Sequence, residues 1–247
     1  FNPSSQSFWE DALLAIHKNL NYDGIWLDMN EVSGFTNGQI NENWSPLACE
    51  DSTVFPYRPG TTPFEDKTIC PNAVHYNGYL HYQVHNFYPN IQAERTYKVL
   101  ENLFPDQFPF ILSRANAPGL GKYAAHWSGD NLGTFDFYKL SLSEVFNSNL
   151  FGIPMVGADI CGFDYNTPER LCSQWYQMGS LYPFSRAHAH IESYRKEPFA
   201  MGDLLYKTTL KSLQFRYSIL KYYYSLFMLN KGTGTIFRPL FFEFYTD

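Results

Sequence analysis

Five residues able to do chemistry each follow or close a short apolar run. They are Asp28 after Gly24-Ile-Trp-Leu27, Arg114 after Phe110-Ile-Leu-Ser113, Asp130 shortly after Trp127, Asp159 after Gly152-Ile-Pro-Met-Val-Gly157, and His188 closing Pro183-Phe-Ser-Arg-Ala-His188. A carboxylate at the end of a buried strand is costly unless it is paired or used. Two such carboxylates with an arginine, a histidine and tryptophans nearby are the parts for cleaving a glycosidic bond. One stays ionised and attacks the anomeric carbon, and the other is protonated when the leaving group departs. The two sit about 5–5.5 Å apart for retention and about 6.5–9.5 Å apart for inversion. A guanidinium such as that of Arg114 can hold a neighbouring carboxylate ionised and hydrogen-bond sugar oxygens. Trp26 and Trp127 offer apolar walls to a pyranose ring.

Each residue taken singly also has a bland role. Asp28 could be a strand-end cap or an ion-pair partner, Arg114 a buried pairing residue, Asp130 a turn former in Gly-Asp-Asn, Asp159 a loop cap and His188 a core histidine. Their recurrence at strand ends favours chemistry. Two rival readings are a non-catalytic sugar-binding module and a divalent-metal site with Asp28, Asn30, Glu31 and Asp130 as oxygen ligands.

The elements that must position these groups alternate. A helix is predicted from Ser4 or Ser5 to about Asn19, with Phe8, Leu13, Leu14 and Ile16 towards its apolar side. Strand 24–27 follows, then a long loop over about 33–75. Helical patterning over 75–103 breaks near Pro89. Strands are predicted at 110–113, 123–127, 152–157 and 183–188, with helices over 134–149 and, started by Thr167-Pro168, to about Tyr182. A long helix capped by Asp203 and reaching about Asn230 carries Leu210, Leu213, Tyr217, Leu220, Tyr224 and Phe227 as a core stripe, and 238–244 alternates like a strand. Repeated strand–helix units imply parallel strands with crossover helices, and functional side chains in such a barrel lie at the carboxyl-terminal ends of the strands. Five strands do not close an eight-stranded barrel, so the fold expected is the C-terminal portion, about strands 4–8, of a TIM (β/α)8 barrel. The barrel occupies 1–235, an adjoining β-sheet domain starts at 236–247, and the first strands are expected upstream of Phe1.

The 247 residues, 45% hydrophobic and 19% aromatic, can bury a large core. The formal charge of -6 and the lack of a basic run argue against a nucleic-acid partner. No apolar stretch is long enough to span a bilayer, so no membrane contact is expected. The four cysteines show no zinc-ligand spacing, and no cofactor is expected. Asn43-Trp44-Ser45 is a glycosylation sequon, which together with an even cysteine count suits the secretory pathway, in a lysosomal, vacuolar or extracellular setting.

Several segments in order resemble glycoside hydrolase family 31, whose members include lysosomal acid α-glucosidase, sucrase-isomaltase and plant α-glucosidases. Trp26-Leu-Asp-Met-Asn-Glu31 is similar to the nucleophile signature, Phe110-Ile-Leu-Ser-Arg114 to the arginine-bearing strand and His126-Trp-Ser-Gly-Asp-Asn131 to the acid/base segment. Gly152 to Phe163 and Arg186-Ala-His188 match further downstream, and Arg238-Pro-Leu-Phe resembles the end of the barrel. The resemblance implies a retaining exo-α-glucosidase acting on terminal α-linked glucose of an oligosaccharide or glucan, with Asp28 as nucleophile and Asp130 as acid/base. Trp26, Met29, Glu31, Arg114, Trp127, Asp159, Phe163 and His188 would contact the sugar. It also implies disulfides Cys49–Cys70 and Cys161–Cys172. The chain departs from the family at Ala115-Asn-Ala-Pro118 and at Ala187 and Ala189, which flank His188.

Overall fold

The computed structural model describes residues 1–40, 46–47, 49 and 63–246. The sequon at Asn43 lies outside them. The chain forms two compact units, Phe1–Ala117 and Pro118–Asp247.

The first unit begins with helix α1 (Ser5–His17) and strand β1 (Gly24–Leu27). Ser4 occupies the N-cap of α1, but its side chain makes no capping bond; the Asn2 carbonyl accepts from the Ser5 N–H instead. Leu13 is buried as expected, whereas Phe8 and Ile16 face solvent. The Trp9 indole anchors the helix by donating to Thr96 Oγ1 at 2.9 Å.

After β1 the chain enters the expected long loop. Within it the short strands β2 (Gln39–Ile40) and β3 (Pro46–Leu47) pair antiparallel. The Cys49–Cys70 disulfide staples this loop, and the Gly34 and Gly38 amides donate to the Lys67 and Thr68 carbonyls.

Helix α2 (His81–Val84) leads through a single 3-10 turn into α3 (Tyr88–Leu103). Pro89 falls in the first turn of α3, where its missing N–H costs nothing, so the break predicted near it is a junction of helices. Strand β4 (Phe110–Ser113) then pairs parallel with β1, Leu27 opposite Ser113. Parallel pairing puts both carboxyl ends, and therefore Asp28 and Arg114, on one side. Leu27, Val99, Leu100, Ile111 and Leu112 are buried in this unit.

The second unit holds β5 (Ala125–Trp127), α4 (Phe135–Leu150), β6 (Val156–Gly157), β7 (Asp159–Ile160), α5 (Glu169–Gly179), β8 (Arg186–Ala187) and α6 (Asp203–Leu229). β5 pairs parallel with β6, and β7 with β8. Thr134 caps α4, its hydroxyl accepting from the Phe137 amide. Val145, Val156, Ile160, Leu171, Trp175 and Tyr182 form the buried core.

Several expectations are corrected here. The strand predicted over 152–157 pairs only at its end, because the Gly152 and Ile153 amides serve the last carbonyls of α4 and Pro154 has none. Asp159 consequently lies inside β7 instead of beyond a strand. Strand 183–188 likewise shrinks to Arg186–Ala187. The Thr167 hydroxyl donates to the Cys161 carbonyl and does not cap α5, which stops at Gly179. Glu169, not Asp203, accepts from the first turn of α6 through the Leu205 amide (3.1 Å), and Asp203 pairs with Lys207.

The buried face of α6 is rotated from the predicted stripe. Leu205 and Thr209 are buried, Arg216 donates to the Ser180, Tyr182 and Pro183 carbonyls, and the Tyr223 hydroxyl donates to that of Leu181. Tyr217 and Tyr224, expected inside, are 73% and 67% exposed. The segment 238–244 forms a 3-10 turn at Leu240–Phe242, entered through Pro239 and closed by an Arg238–Glu243 ion pair, not a strand. No helix among the described residues is long and apolar enough to cross a membrane.

Candidate active site

The first unit builds one carboxylate centre on the ends of β1 and β4. Past Leu27 the backbone turns left-handed at Met29 (φ 54°), and the Met29 amide donates to Asp28 Oδ1 at 2.9 Å. Asn30 is buried and locks the two strand ends together. Its amide nitrogen donates to Ser113 Oγ at 2.8 Å, and its oxygen accepts from the Ala115 amide at 2.9 Å. Arg114 therefore emerges from a fixed backbone.

The Arg114 guanidinium spans two acids. Nε and Nη2 donate to the two oxygens of Glu31 at 2.9 and 3.0 Å, and Nη1 lies 3.1 Å from Asp28 Oδ1. A two-pronged grip of this kind fixes direction as well as charge. The Asp28 side chain remains 37% exposed, open to a substrate. Arg114 and Glu31 thus form an orienting pair beside Asp28, which narrows the sugar contacts expected of them. The same bonds commit Asn30 and Glu31 to protein partners, which weighs against their serving as metal ligands. Among the described residues no group of three His, Cys, Asp or Glu side chains is arranged to hold a metal ion. Trp26 is half exposed on β1.

The second unit builds its centre on β5, β7 and β8. Trp127 is buried, Gly129 turns the chain at φ 69°, and Asp130 is exposed. Asn131, buried beside it, donates to the Asp159 carbonyl at 3.1 Å and accepts from the Phe163 amide at 2.9 Å. Asp159 has no exposed surface, and Arg186 places Nε and Nη2 on its Oδ1 at 3.1 and 2.7 Å. Burial pushes the Asp159 carboxyl up from 3.8 to about 6, with Arg186 opposing the rise and the charge of Asp130 adding to it. The Arg186 guanidinium also lies over the Trp127 ring, 5.1 Å from its centroid.

Phe163 packs against His188 at 5.2 Å between ring centroids and meets His190 edge-on at 5.6 Å. The turn that presents Phe163 requires Gly162, at φ +76°, where a Cβ would lie 2.3 Å from the Gly133 nitrogen. The Cys161–Cys172 disulfide ties this turn to α5, which bears out the second cysteine pairing. Buried Lys196 donates to the Gly162 and Phe163 carbonyls, and burial lowers its ammonium to about 8.

Arg186, Asn131 and Lys196 were not among the candidate residues, and Asn30 was one only as a metal ligand. The two asparagines had a local signal, each lying one or two positions after an acid at a strand end. Arg186 had only its place in Arg-x-His, and Lys196 had none.

The profile of the TIM-barrel domain of glycosyl hydrolases family 31 matches residues 1–226. Lysosomal acid alpha-glucosidase of Tetrahymena pyriformis is 38% identical, the match covering 100% of this chain and 30% of that protein. Alpha-xylosidase 1 of Arabidopsis thaliana is 40% identical over 100% of this chain and 29% of its own length. Among solved structures, the catalytic subunit in a heterodimeric ER glucosidase II complex superposes with a TM-score of 0.78 at 30% identity, covering 98% of this chain and 24% of that one. The chain thus spans less than a third of the length of these relatives. It belongs to glycosyl hydrolases family 31, as a portion of that family's TIM-barrel domain.

Proposed function

We propose that the whole protein carrying this chain is a retaining exo-α-glucosidase that releases terminal glucose from α-linked oligosaccharides or glucan ends. The observation that carries the reading is the Asp28–Arg114–Glu31 arrangement, with an exposed carboxylate held by a guanidinium at the carboxyl ends of adjacent parallel strands. In this reading Asp28 attacks the anomeric carbon and forms a glycosyl ester, while Asp130 gives its proton to the departing oxygen. Asp130 then takes a proton from water, which attacks the ester and frees both glucose and Asp28.

Exposed Asp130 suits a group that trades protons with substrate and water. In the second unit the Phe163 and His188 rings offer a ring and a polar edge to the sugar, and in the first unit half-exposed Trp26 offers a wall, while Trp127 and Asp159 are buried against Arg186. The named activity of the 38% identical lysosomal relative supports glucose as the sugar. Proton NMR during early hydrolysis of p-nitrophenyl α-glucoside by the full-length protein tests this; α-glucose as first product supports it, and β-glucose refutes it.

A second reading, an α-xylosidase, is favoured by the 40% identical Arabidopsis relative. Competing p-nitrophenyl α-glucoside and α-xyloside assays separate the two. Two disulfides and the lysosomal relatives support residence in an oxidising compartment. The sequon at Asn43 is proposed as a glycan site, and 236–247 as the approach to an adjoining domain.

A further inference from the structure

Lys196 is a buried cation to which the mechanism above gives no task. It is 3% exposed, and its ammonium is engaged by backbone: Nζ donates to the Gly162 carbonyl and, at 3.1 Å, to the Phe163 carbonyl. Taking an ammonium out of water costs far more than burying a neutral donor. In return its hydrogen bonds are about twice as strong as neutral ones and hold their acceptors more firmly. The two acceptors belong to the turn that presents Phe163 to His188.

That turn needs holding. Cys161 and Gly162 are both left-handed, at φ 73° and 76°, and a non-glycine residue such as Cys161 keeps that conformation only where its surroundings impose it. One restraint comes from α5, through the Cys161–Cys172 disulfide. A second comes from the segment after β8, where the His190 amide donates to the Phe163 carbonyl at 2.8 Å. Lys196 closes the third side, on the same carbonyl and on its neighbour. Its own main chain has a fixed base, because the buried Tyr176 hydroxyl of α5 donates to the Lys196 carbonyl at 2.9 Å. The helix that carries Cys172 therefore also anchors the lysine. Between these restraints stand the Phe163 and His188 rings, 5.2 Å apart.

We propose that Lys196 is a positioning residue for the terminal sugar, its ammonium clamping the Phe163 turn to the segment after β8 so that Phe163 and His188 keep a fixed spacing. The inference rests on the reading of these two rings as sugar contacts. Neither ring reacts, so both hold the sugar alike before and during bond cleavage. Loss of the clamp therefore weakens binding more than it slows the chemical step.

The test is a double-substitution cycle in the full-length protein: wild type, K196M, F163A and the two combined. KM and kcat are measured on p-nitrophenyl α-glucoside, and the affinity for the iminosugar 1-deoxynojirimycin is measured by calorimetry, which reads binding even in a variant that turns over too slowly. K196M is expected to raise KM and weaken the iminosugar by about 10-fold with kcat within about 2-fold, the scale on which contacting groups couple. Where Phe163 is already alanine, the same substitution is expected to cost less than about 3-fold, because the ring it positions is gone. K196Q, which keeps a neutral donor, should fall between wild type and K196M. Equal losses in both backgrounds would overturn the proposal, since a purely structural lysine acts whether or not the ring is present. No loss in the wild-type background, or a loss confined to kcat, would also overturn it. If K196M does not fold, K196Q in the two backgrounds supplies the same comparison. A wild-type protein that neither hydrolyses the glucoside nor binds the iminosugar would instead refute the glycosidase reading, so the two failures are distinguishable.

Discussion

The two units place their arginines in contrasting surroundings. In the first, Arg114 reaches two acids whose side chains are each about a third exposed, Asp28 at 37% and Glu31 at 36%. In the second, Arg186 engages Asp159, which is wholly buried. The first arrangement leaves its charged carboxylate available to react, while the second supports structure around a reactive group that is itself exposed. Exposure, more than the presence of a cation, separates an acid that can attack a substrate from one that can only hold or contact it.

The largest effect expected from this contrast is kinetic. Asp28→Ala should abolish turnover of every glucoside, because no nucleophile remains. Asp130→Ala should cost about 10²- to 10⁴-fold on maltose, the usual share of a general acid, and much less on a glucosyl fluoride whose leaving group needs no proton. Steady-state assays with both substrates check the pair, and equal losses on the fluoride would break the distinction between attacking and proton-giving acids.

Stability should show the opposite ranking. Arg186→Ala strands a buried carboxylate and is expected to cost about 3–5 kcal/mol, whereas Arg114→Ala, facing partly exposed acids, should cost about 1 kcal/mol or less. Denaturant melts of the two variants read this directly. The pH dependence should follow Asp159. Its folded carboxyl titrates near 6, above the ordinary 3.8, so the folded state holds the extra proton between those values. Stability from this group is therefore full below about 4 and is lost as pH rises through about 6, with a slope of at most about 1.4 kcal/mol per pH unit. Melts of Asp159→Asn across that window should show the decline flattened.

The smallest contrast lies in the helix caps. Thr134→Ala should cost about 1 kcal/mol, because its hydroxyl accepts from the Phe137 amide, while Ser4→Ala should stay within about 0.5 kcal/mol, its side chain making no capping bond. Thermal melts suffice to compare them.

How much of this was legible in the sequence depended on how local its cause was. Asp28 and Arg114 stand at strand ends because apolar runs with abrupt polar ends can hardly fold otherwise. Strand 152–157 was misjudged because the carbonyls of α4 compete for its first amides. The buried face of α6 was misjudged because Arg216 and Tyr223, polar by type, satisfy backbone carbonyls after α5, a demand that hydrophobic spacing does not register. The ring-to-ring hydrogen bonds of His81 with His75 and His85 were half visible: His81 and His85 are four apart, but His75 joins them from a loop. Lys196 reaches the carbonyls of Gly162 and Phe163 across more than thirty positions, and only the fold reveals it.

The central claim is that Asp28 forms the covalent bond to the sugar. Incubation of the full-length protein with 5-fluoro-α-glucosyl fluoride, followed by protease digestion and mass spectrometry, tests it most directly. The expected result is a single fluoroglucosyl adduct on the peptide containing Asp28. An adduct on Glu31 or Asp130 instead, or steady turnover of the reagent by a protein whose Asp28 has been replaced, would contradict the account.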